Sequence, residues 1–185
     1  MRNFLVFIWE ITKIVIIALL IVVPIRYFIF QPFFVRGKSM EPNFENNDYL
    51  IVDEISYRFR APQRGEVVVF KCPQNPSQRY IKRIVGLPGE TIEIGDGKVV
   101  IFSEKGSQIL NESDYLSPYI TTPGDIRVTL DENEYFVLGD NRSVSADSRR
   151  FGPLPRKNIV GRVFLRAWPF TAFAKIAAPQ YLRTE

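Results

Sequence analysis

The first thirty residues form an almost continuous apolar stretch. The run from Phe4 to Phe30 is broken by few charged residues, among them Glu10 and Lys13. Its uninterrupted core, Ile14–Ile25, has 12 residues, and the residues before it extend the stretch to the roughly 20 that cross a bilayer as a helix. Glu10 and Lys13 are three residues apart, so they can pair on one helix face. The pattern predicts a transmembrane anchor over residues 1–30.

Two other interpretations of this stretch fit the sequence less well. A cleaved signal peptide would use Arg2 as its charged start and Ile14–Ile25 as its apolar region, but residues 26–32 contain no small-x-small cleavage site. A core helix of a soluble protein would carry polar positions at helical spacing, and the stretch lacks that pattern. An uncleaved anchor is therefore the preferred interpretation.

Beyond residue 30 the apolar residues occur in short runs of Val, Ile, Phe and Tyr between turn residues, which is typical of strands. Residues 92–100 predict a hairpin that turns on Gly95-Asp96-Gly97. Residues 103–125 are rich in Ser, Asn, Pro and Gly, and they predict an irregular insertion. The predicted strands are 49–52, 66–70, 79–85, 91–94, 99–102, 126–130, 135–138 and 159–168.

Together these elements predict a mainly β fold. An N-terminal transmembrane helix is followed by a domain of antiparallel β-sheet. The predicted boundaries are 1–30 for the anchor and 31–185 for the β-rich domain, which carries a small insertion around residues 90–133.

The composition excludes several kinds of catalytic site. The 185 residues include no histidine and one cysteine, which rules out a Ser-His-Asp triad, a Cys-His pair, a His-ligated zinc site and an intramolecular disulfide. Any general base must be a carboxylate, a lysine or a tyrosine. The net charge is +4, of which half lies in residues 1–30, and the basic residues are not clustered as in nucleic-acid binders. We therefore expect no nucleic-acid partner.

Three polar segments carry candidate chemistry. Ser39 follows a glycine and precedes a proline within residues 33–42, a turn that can expose its hydroxyl. Lys82 and Arg83 lie in the predicted strand 79–85, and since strand residues alternate faces, one of these two side chains is expected to point inward. Desolvation lowers the pKa of a lysine and can make it a base near pH 7. The third segment, 139–153, is a dense polar loop of the kind that positions a functional group.

Each segment alone also has a plainer interpretation. Ser39 can be a hydrogen-bonding serine of a surface turn, and Lys82 a solvated lysine of an edge strand. The loop 139–153 can be an ordinary turn whose Asp–Arg pair on the surface contributes little to stability.

Taken together, the three segments resemble those of type I signal peptidases. The resemblance runs from the anchor to Trp168, and the order of the segments behind an anchor makes it specific. It implies a membrane-anchored serine endopeptidase that uses a Ser/Lys dyad on a β-sheet catalytic domain of the signal-peptidase type. The matching stretches are Ser39-Met40-Glu41-Pro42, residues 80–89, Gly139-Asp140-Asn141-Arg142 and residues 145–149.

The resemblance also implies a role for individual residues. Ser39 matches the nucleophile, whose backbone N–H contributes to the oxyanion hole, and Lys82 matches the general base. Ser145 matches a hydroxyl that orients the lysine amine. The resemblance implies a structural ion pair between Asp147 and Arg149, with Arg83 nearby. The residues that match apolar pockets for small substrate side chains are Phe33, Val35, Met40, Phe44 and Ile81.

The chain departs from the pattern of the family in two places. Pro42-Asn43-Phe44 stands where the family usually has Pro-Thr-Leu, and the larger Phe44 suggests a narrower substrate pocket. Gly37 stands where some members carry a serine that donates to the oxyanion, so backbone donors must serve here.

The implied function is removal of signal peptides from secreted and membrane preproteins after a small-x-small motif, through an acyl-enzyme and without metal or organic cofactor. The implied partners are secretory preproteins and the lipid bilayer, and we expect a monomer. The implied location is the cell membrane, with the short N-terminus in the cytoplasm and the catalytic domain on the extracytoplasmic face. The alternative is a membrane-anchored adaptor or assembly domain without activity. A self-cleaving repressor is disfavoured, because it would carry a DNA-binding module instead of a membrane span.

Overall fold

The N-terminal region is helical. The computed structural model describes residues 2–28 and 30–179, and it begins with helix α1, Arg2–Phe28. The described side chains of α1 between Phe4 and Val22 are all exposed. Among the described residues, no helical stretch reaches both the length and the hydropathy that a membrane-spanning helix requires. Of the predicted segments, Met1, Ile29 and residues 180–185 lie outside the described residues.

Beyond α1 the described chain consists mainly of strands. Short 3₁₀ helices lie at Ser56–Arg58, Arg156–Asn158 and Phe170–Ala172, and helix α2 covers Ser148–Phe151. The strands are β1 Phe30–Phe34, β2 Tyr49–Asp53, β3 Val67–Lys71, β4 Arg79–Gly86, β5 Thr91–Gly95, β6 Lys98–Ser103, β7 Gly106–Ile109, β8 Ile126–Thr129, β9 Glu134–Leu138, β10 Leu154–Pro155, β11 Ile159–Trp168 and β12 Ala174–Lys175.

These strands form two antiparallel sheets. The larger has the order β1-β2-β11-β3-β4-β9-β10, and β12 pairs with β11. The smaller has the order β7-β6-β5-β8. The buried residues of β5 and β6 form one core cluster with Phe136 and Leu138 of β9. This cluster packs the smaller sheet against the larger.

The predicted strands are confirmed, with ends that shift by at most one residue. The hairpin at 92–100 is also present, because β5 pairs with β6 up to Gly95 opposite Lys98. Asp96 and Gly97 form its turn, with φ of +50° and +76°, as a two-residue hairpin turn of this hand requires.

The prediction that residues 103–125 are irregular is wrong for part of the segment. Gly106–Ile109 is strand β7, which pairs with β6 from Val100 to Ser103. All four residues of β7 are exposed. The strand therefore lacks the alternation of apolar and polar residues by which a sequence reveals a strand.

The prediction that one of Lys82 and Arg83 points inward understates their burial, since both are buried. The alternation itself holds: Arg83 lies opposite Val67 and Lys82 opposite Val68 in β3. Val67 belongs to one core cluster and Val68 to another. Because β4 is an interior strand covered on both faces, both basic side chains leave water.

Candidate active site

A direct polar contact joins Ser39 to Lys82, two of the predicted site residues. Lys82 Nζ lies 2.7 Å from Ser39 Oγ and donates to the carbonyl of Ile81 at 2.8 Å. Lys82 is only 3% exposed, whereas Ser39, in the turn after β1, is half-buried. The two residues are 43 positions apart in the chain, and the fold brings them into direct hydrogen-bond range.

Burial changes the acidity of Lys82. Loss of water around the amine lowers the pKa of Lys82 from 10.5 to about 8, although the carboxylates of Asp147 and Asp140 act in the opposite direction. Desolvation disfavours the ammonium form, and this effect is the larger one. About a tenth of the amine is therefore neutral at pH 7 and about half at pH 8, and the neutral amine is the form that a general base requires.

The turn that carries Ser39 is held by local hydrogen bonds. Gly37 N–H donates to Asn46 Oδ1 at 2.9 Å, and Phe44 N–H donates to the carbonyl of Met40 at 2.9 Å. Gly37 has a φ of +85°, in the left-handed region that other residues rarely adopt. A serine at position 37 would be strained, which explains physically why glycine stands there.

The polar loop packs directly on the turn that carries Ser39. A Cβ atom at Gly139 would lie 2.2 Å from Ser145 Oγ and 2.4 Å from the carbonyl oxygen of Ser39. Asn141 N–H donates to the same carbonyl at 3.0 Å. Only a glycine at position 139 allows this close approach of loop and turn.

Ser145 lies at this contact but does not bind Lys82 in the structure. Its side chain is buried, and its hydroxyl lies beside the Asp147 carboxylate, whose pKa it helps to lower. The contact with the lysine amine that the resemblance implies is therefore not among the bonds of Lys82 Nζ, which go to Ser39 and Ile81. The role of Ser145 stays a prediction.

Asp147 and Arg149 form the expected ion pair, with 2.8 Å between Arg149 Nη2 and Asp147 Oδ2. The Asp147 carboxylate also accepts from Gly139 N–H at 3.0 Å. Burial alone would raise the pKa of Asp147, but the bonds from Arg149 and Gly139 outweigh it and hold the pKa below its ordinary value. The pair therefore stays ionised and fixes the loop.

Arg83 belongs to a second ion pair, which the sequence did not reveal. Its Nε and Nη2 donate to the two oxygens of Asp140 at 2.9 and 2.6 Å. The Tyr115 ring covers the guanidinium, with 4.1 Å from Cζ to the ring centre. Arg83 and Asp140 are 57 residues apart, so spacing gives no signal. The strongest hint is that Asp140 lies two residues after the end of β9, the strand beside β4.

A third missed contact ties the loop to the segment between β7 and β8. Arg142 Nη1 donates to Glu112 Oε2 at 2.7 Å, and the guanidinium also bonds Glu112 Oε1 and Thr122 Oγ1. Arg149 Nη1 donates to the carbonyl of Pro123 at 3.0 Å. Residues 111–123 therefore brace the loop that contacts Ser39.

An open groove of about 660 Å³ leads to Ser39 and Lys82. Of the five residues implied to bind substrate, Phe33 and Ile81 line it. Val35, Met40 and Phe44 instead lie in the core cluster that includes Ile81. The groove is lined by Pro32, Phe33, Phe34, Arg36, Gly37, Lys38, Ser39, Arg79, Tyr80, Ile81, Lys82, Val144 and Ala146.

Two other observations bear on the chemistry of the molecule. A larger cavity of about 940 Å³ lies between Asp131–Glu134 and Pro155–Ile159, and neither Ser39 nor Lys82 lines it. Within residues 2–28 and 30–179, no three side chains of the metal-ligating types come together.

Comparisons with known proteins place the chain in a family. The family model described as signal peptidase, peptidase S26, matches residues 8–168. A signal peptidase I of Leptolyngbya laminosa is 38% identical over 170 residues, which cover 88% of this chain and 81% of that protein. A probable signal peptidase I-2 of Synechocystis sp. is 37% identical over 165 residues, covering 86% and 73%.

Among solved structures, a signal peptidase I of Enterococcus faecalis matches with 34% identity and a TM-score of 0.47, covering 56% of this chain and 97% of that one. The family match spans most of the chain, and the two relatives exceed 30% identity over more than two thirds of their length. The chain therefore belongs to the signal peptidase family, peptidase S26.

Proposed function

We propose that this chain removes signal peptides from secretory preproteins, with Ser39 as the nucleophile and Lys82 as the general base. The observation that carries the proposal is the 2.7 Å separation of Ser39 Oγ and Lys82 Nζ beside an open groove. The chain has no histidine. The neutral amine of a buried lysine with a pKa of about 8 therefore acts as the general base, the role that an imidazole has in other serine proteases.

The reaction has two halves. Ser39 Oγ attacks the scissile carbonyl carbon, and its proton moves to Lys82 Nζ; the C–N bond then breaks, and the ammonium returns the proton to the leaving amine. A water molecule next attacks the acyl carbon and gives its proton to Lys82 Nζ. That proton passes to Ser39 Oγ as the carboxyl group of the signal peptide leaves. We assign the backbone N–H of Ser39 to the oxyanion.

We assign the apolar part of the groove to the small side chains of the substrate next to the cut. Phe33 and Ile81 supply apolar walls beside the dyad, and we assign them to substrate binding. Val35, Met40 and Phe44 pack with Ile81 in the core, so we assign them to support of that wall. Because Phe44 lies in the core, its larger side chain affects the shape of the groove through neighbours such as Ile81 and does not fill a substrate pocket itself.

The lipid bilayer is the second partner that we propose. Phe34, Tyr49 and Trp168 lie in register across β1, β2 and β11, and the Phe170 ring lies 4.7 Å from that of Trp168. Phe34, Trp168 and Phe170 are 59%, 52% and 75% exposed. We call these four residues the aromatic row. Exposed aromatic side chains of this kind favour the membrane interface.

The aromatic row begins at the groove, because Phe34 also lines it. Helix α1 ends at Phe28 and β1 begins at Phe30, so an anchor formed by α1 would keep the groove close to the bilayer. We propose that α1 anchors the chain in the cell membrane, with the N-terminus in the cytoplasm and the groove on the extracytoplasmic face. Both dyad residues come from one chain, so a monomer suffices.

The experiment uses the purified full chain in detergent with a secretory precursor that carries a small-x-small motif. We expect one cut after the motif by the wild type and none by Ser39→Ala or Lys82→Ala. Lys71→Ala, which removes an exposed lysine of β3, is the matched control and should cleave normally. Cleavage that persists in both dyad variants would refute the dyad. An inactive wild type that still binds the precursor would favour the adaptor function.

The pH dependence of cleavage tests the base. Lys82 must be neutral to accept the proton, and its pKa is about 8. We therefore expect kcat/KM to fall by about tenfold for each pH unit below that value and to level off above it. The measurement is cleavage of the same precursor from pH 6 to pH 9.5. A profile that stays flat from pH 6 to pH 8 would contradict the role of Lys82.

A further inference from the structure

Asn43 connects three parts of the molecule around the dyad. It is half-buried and lies four residues after Ser39, at the far end of the turn that carries Ser39. Its Nδ2 donates to Asp140 Oδ2 at 2.8 Å and to the carbonyl of Tyr115 at 2.7 Å. Its own carbonyl accepts from Arg166 Nη2 at 2.8 Å. The side-chain amide thus uses both of its N–H groups on acceptors from other parts of the chain.

The Asp140 contact leads to the strand that carries the base. Asp140 is fully buried and accepts two hydrogen bonds from Arg83. Arg83 directly follows Lys82 in β4. The series Asn43–Asp140–Arg83 therefore runs without a gap from the turn that bears Ser39 to the strand that bears Lys82.

We propose that Asn43 is a positioning residue that holds the Ser39 turn against β4 and so fixes the distance between Ser39 Oγ and Lys82 Nζ. The inference rests on the proposed function and adds to it a residue that touches neither the substrate nor the reacting atoms. The other end of the turn is held by Asn141 N–H on the Ser39 carbonyl, a backbone contact. Asn43 provides the side-chain contact at the opposite end.

The chemistry of the site explains why asparagine suits it. Two buried acceptors face the side chain, and an amide NH₂ group has two donors. A threonine has one donor, so it can satisfy one acceptor. An aspartate has the same shape but no donor when ionised, and it would place a second carboxylate against Asp140. An alanine leaves both acceptors without this partner.

The first experiment measures kcat and KM for precursor cleavage. We expect Asn43→Ala to lower kcat by about 100-fold, because a misplacement of about 1 Å can cost that much. KM should stay within about twofold, since Asn43 does not line the groove. Asn43→Thr should fall between the wild type and alanine. Asn43→Asp, with the shape kept and the donors lost, should be no better than alanine.

The matched control is Asn158→Ala. Asn158 is also half-buried, and its Nδ2 donates to the carbonyl of Lys71 at 3.0 Å. The variant removes a comparable amide far from the dyad in sequence, so we expect unchanged kcat. The inference is overturned if Asn43→Ala keeps kcat within twofold, if KM rises as much as kcat falls, or if the folded fraction falls in proportion. If Asn43→Ala does not fold, Asn43→Thr decides the question by the same criteria.

A second measurement does not need activity. The titration of Lys82 is followed by NMR on the full chain with ¹³C-labelled lysine. A loosened turn admits water around the amine and leaves the Asp140 carboxylate without one of its donors, and both changes favour the ammonium. We therefore expect the pKa of Lys82 to rise in Asn43→Ala and not in Asn158→Ala. The groups that face the Lys82 amine are Ser39, Tyr80, Cys72, Asp140 and Asp147, with Arg83 beside it.

The two measurements separate the two proposals. If the wild type cleaves no precursor, the proposed function fails, and the titration still shows whether Asn43 controls the dyad. If the wild type cleaves and the pKa of Lys82 is the same in the wild type and in Asn43→Ala, the proposed role of Asn43 fails and the proposed function stands.

Discussion

At the scale of single residues, Lys82 carries its amine in a place where an ammonium is costly. Its pKa of about 8 lies below the 10.5 of a solvated lysine because burial disfavours the charged form. Below pH 8 both the folded and the unfolded chain hold the proton, and the folded state bears the cost of a buried charge. Between pH 8 and 10.5 the folded chain releases a proton that the unfolded chain keeps, so stability rises with pH.

This sign predicts the behaviour of Lys82→Met. At pH 7 we expect its free energy of unfolding to exceed that of the wild type by roughly 2 kcal/mol, because the buried charge is gone. The difference should shrink as the pH rises from 8 to 10.5. Urea unfolding at a series of pH values measures it. The control Lys71→Met, at an exposed position, should show no such trend, and a constant difference for Lys82→Met would contradict burial of the ammonium as the cause.

The sequence indicated the residues of the dyad but not the groups that hold them. Ser39 and Lys82 lie in short stretches with a distinctive order of residue types. Asn43, by contrast, meets Asp140 across 97 residues. Such contacts depend on which strands are neighbours in the sheet, and no local pattern encodes that. The close approach at Gly139 is hidden for the same reason, since its neighbour Ser39 is distant in the chain.

At the scale of elements, strands were predictable where apolar residues follow one another, as in β3, which is buried along most of its length, or alternate with polar ones, as in β5 with its alternating burial. β7 escaped prediction because it is exposed throughout. β1 escaped because Pro32 lies in its middle, and proline is tolerated only at sheet edges. β1 is indeed the edge strand of the larger sheet, and this position leaves its free side facing the groove.

The ion pair of Arg142 and Glu112 is the main bond between the polar loop and residues 111–123. The Arg142 side chain is 1% exposed, so loss of its partner leaves a buried charge unpaired. We expect Glu112→Gln to lower the free energy of unfolding by about 3 kcal/mol, measured by urea denaturation. Because the loop contacts Ser39, the variant should also lose its cleavage activity at a lower urea concentration than the wild type does.

The matched control is Glu93→Gln. Glu93 pairs with Arg127 at 2.6 Å, but that arginine is 62% exposed. A solvated ion pair contributes little to stability, so this variant should unfold at the same urea concentration as the wild type. Equal effects of the two substitutions on the free energy of unfolding would contradict a larger contribution from the buried pair of Arg142 and Glu112.

At the scale of the whole molecule, β1 connects the groove and the aromatic row to α1. Phe34 belongs to both the groove and the row, and β1 follows α1 after one residue. A substrate held in the bilayer by its own apolar segment would therefore meet Ser39 at the same depth. This arrangement raises the effective concentration of the cleavage site without further contacts.

The aromatic row gives a prediction for membranes. The chain has two tryptophans, so Trp9→Phe leaves Trp168 as the one indole fluorophore. We expect the emission of Trp168 to shift to the blue and to be quenched when this full-length variant is placed in vesicles with brominated acyl chains. Phe170→Ala in the same background should weaken the quenching, whereas Phe59→Ala, another exposed aromatic, should not. Emission that is equal with brominated and ordinary lipid would exclude the row from the interface.

The hairpin of β6 and β7 has a practical consequence. Its tip, Glu104 and Lys105, is exposed and stands at the outer edge of the smaller sheet, while the core cluster of that sheet lies on the side of β9. Insertions are best tolerated at exposed loop tips. A fluorescent tag or a split-reporter fragment placed between these two residues would let the protein be followed in living cells with its groove and α1 unaltered.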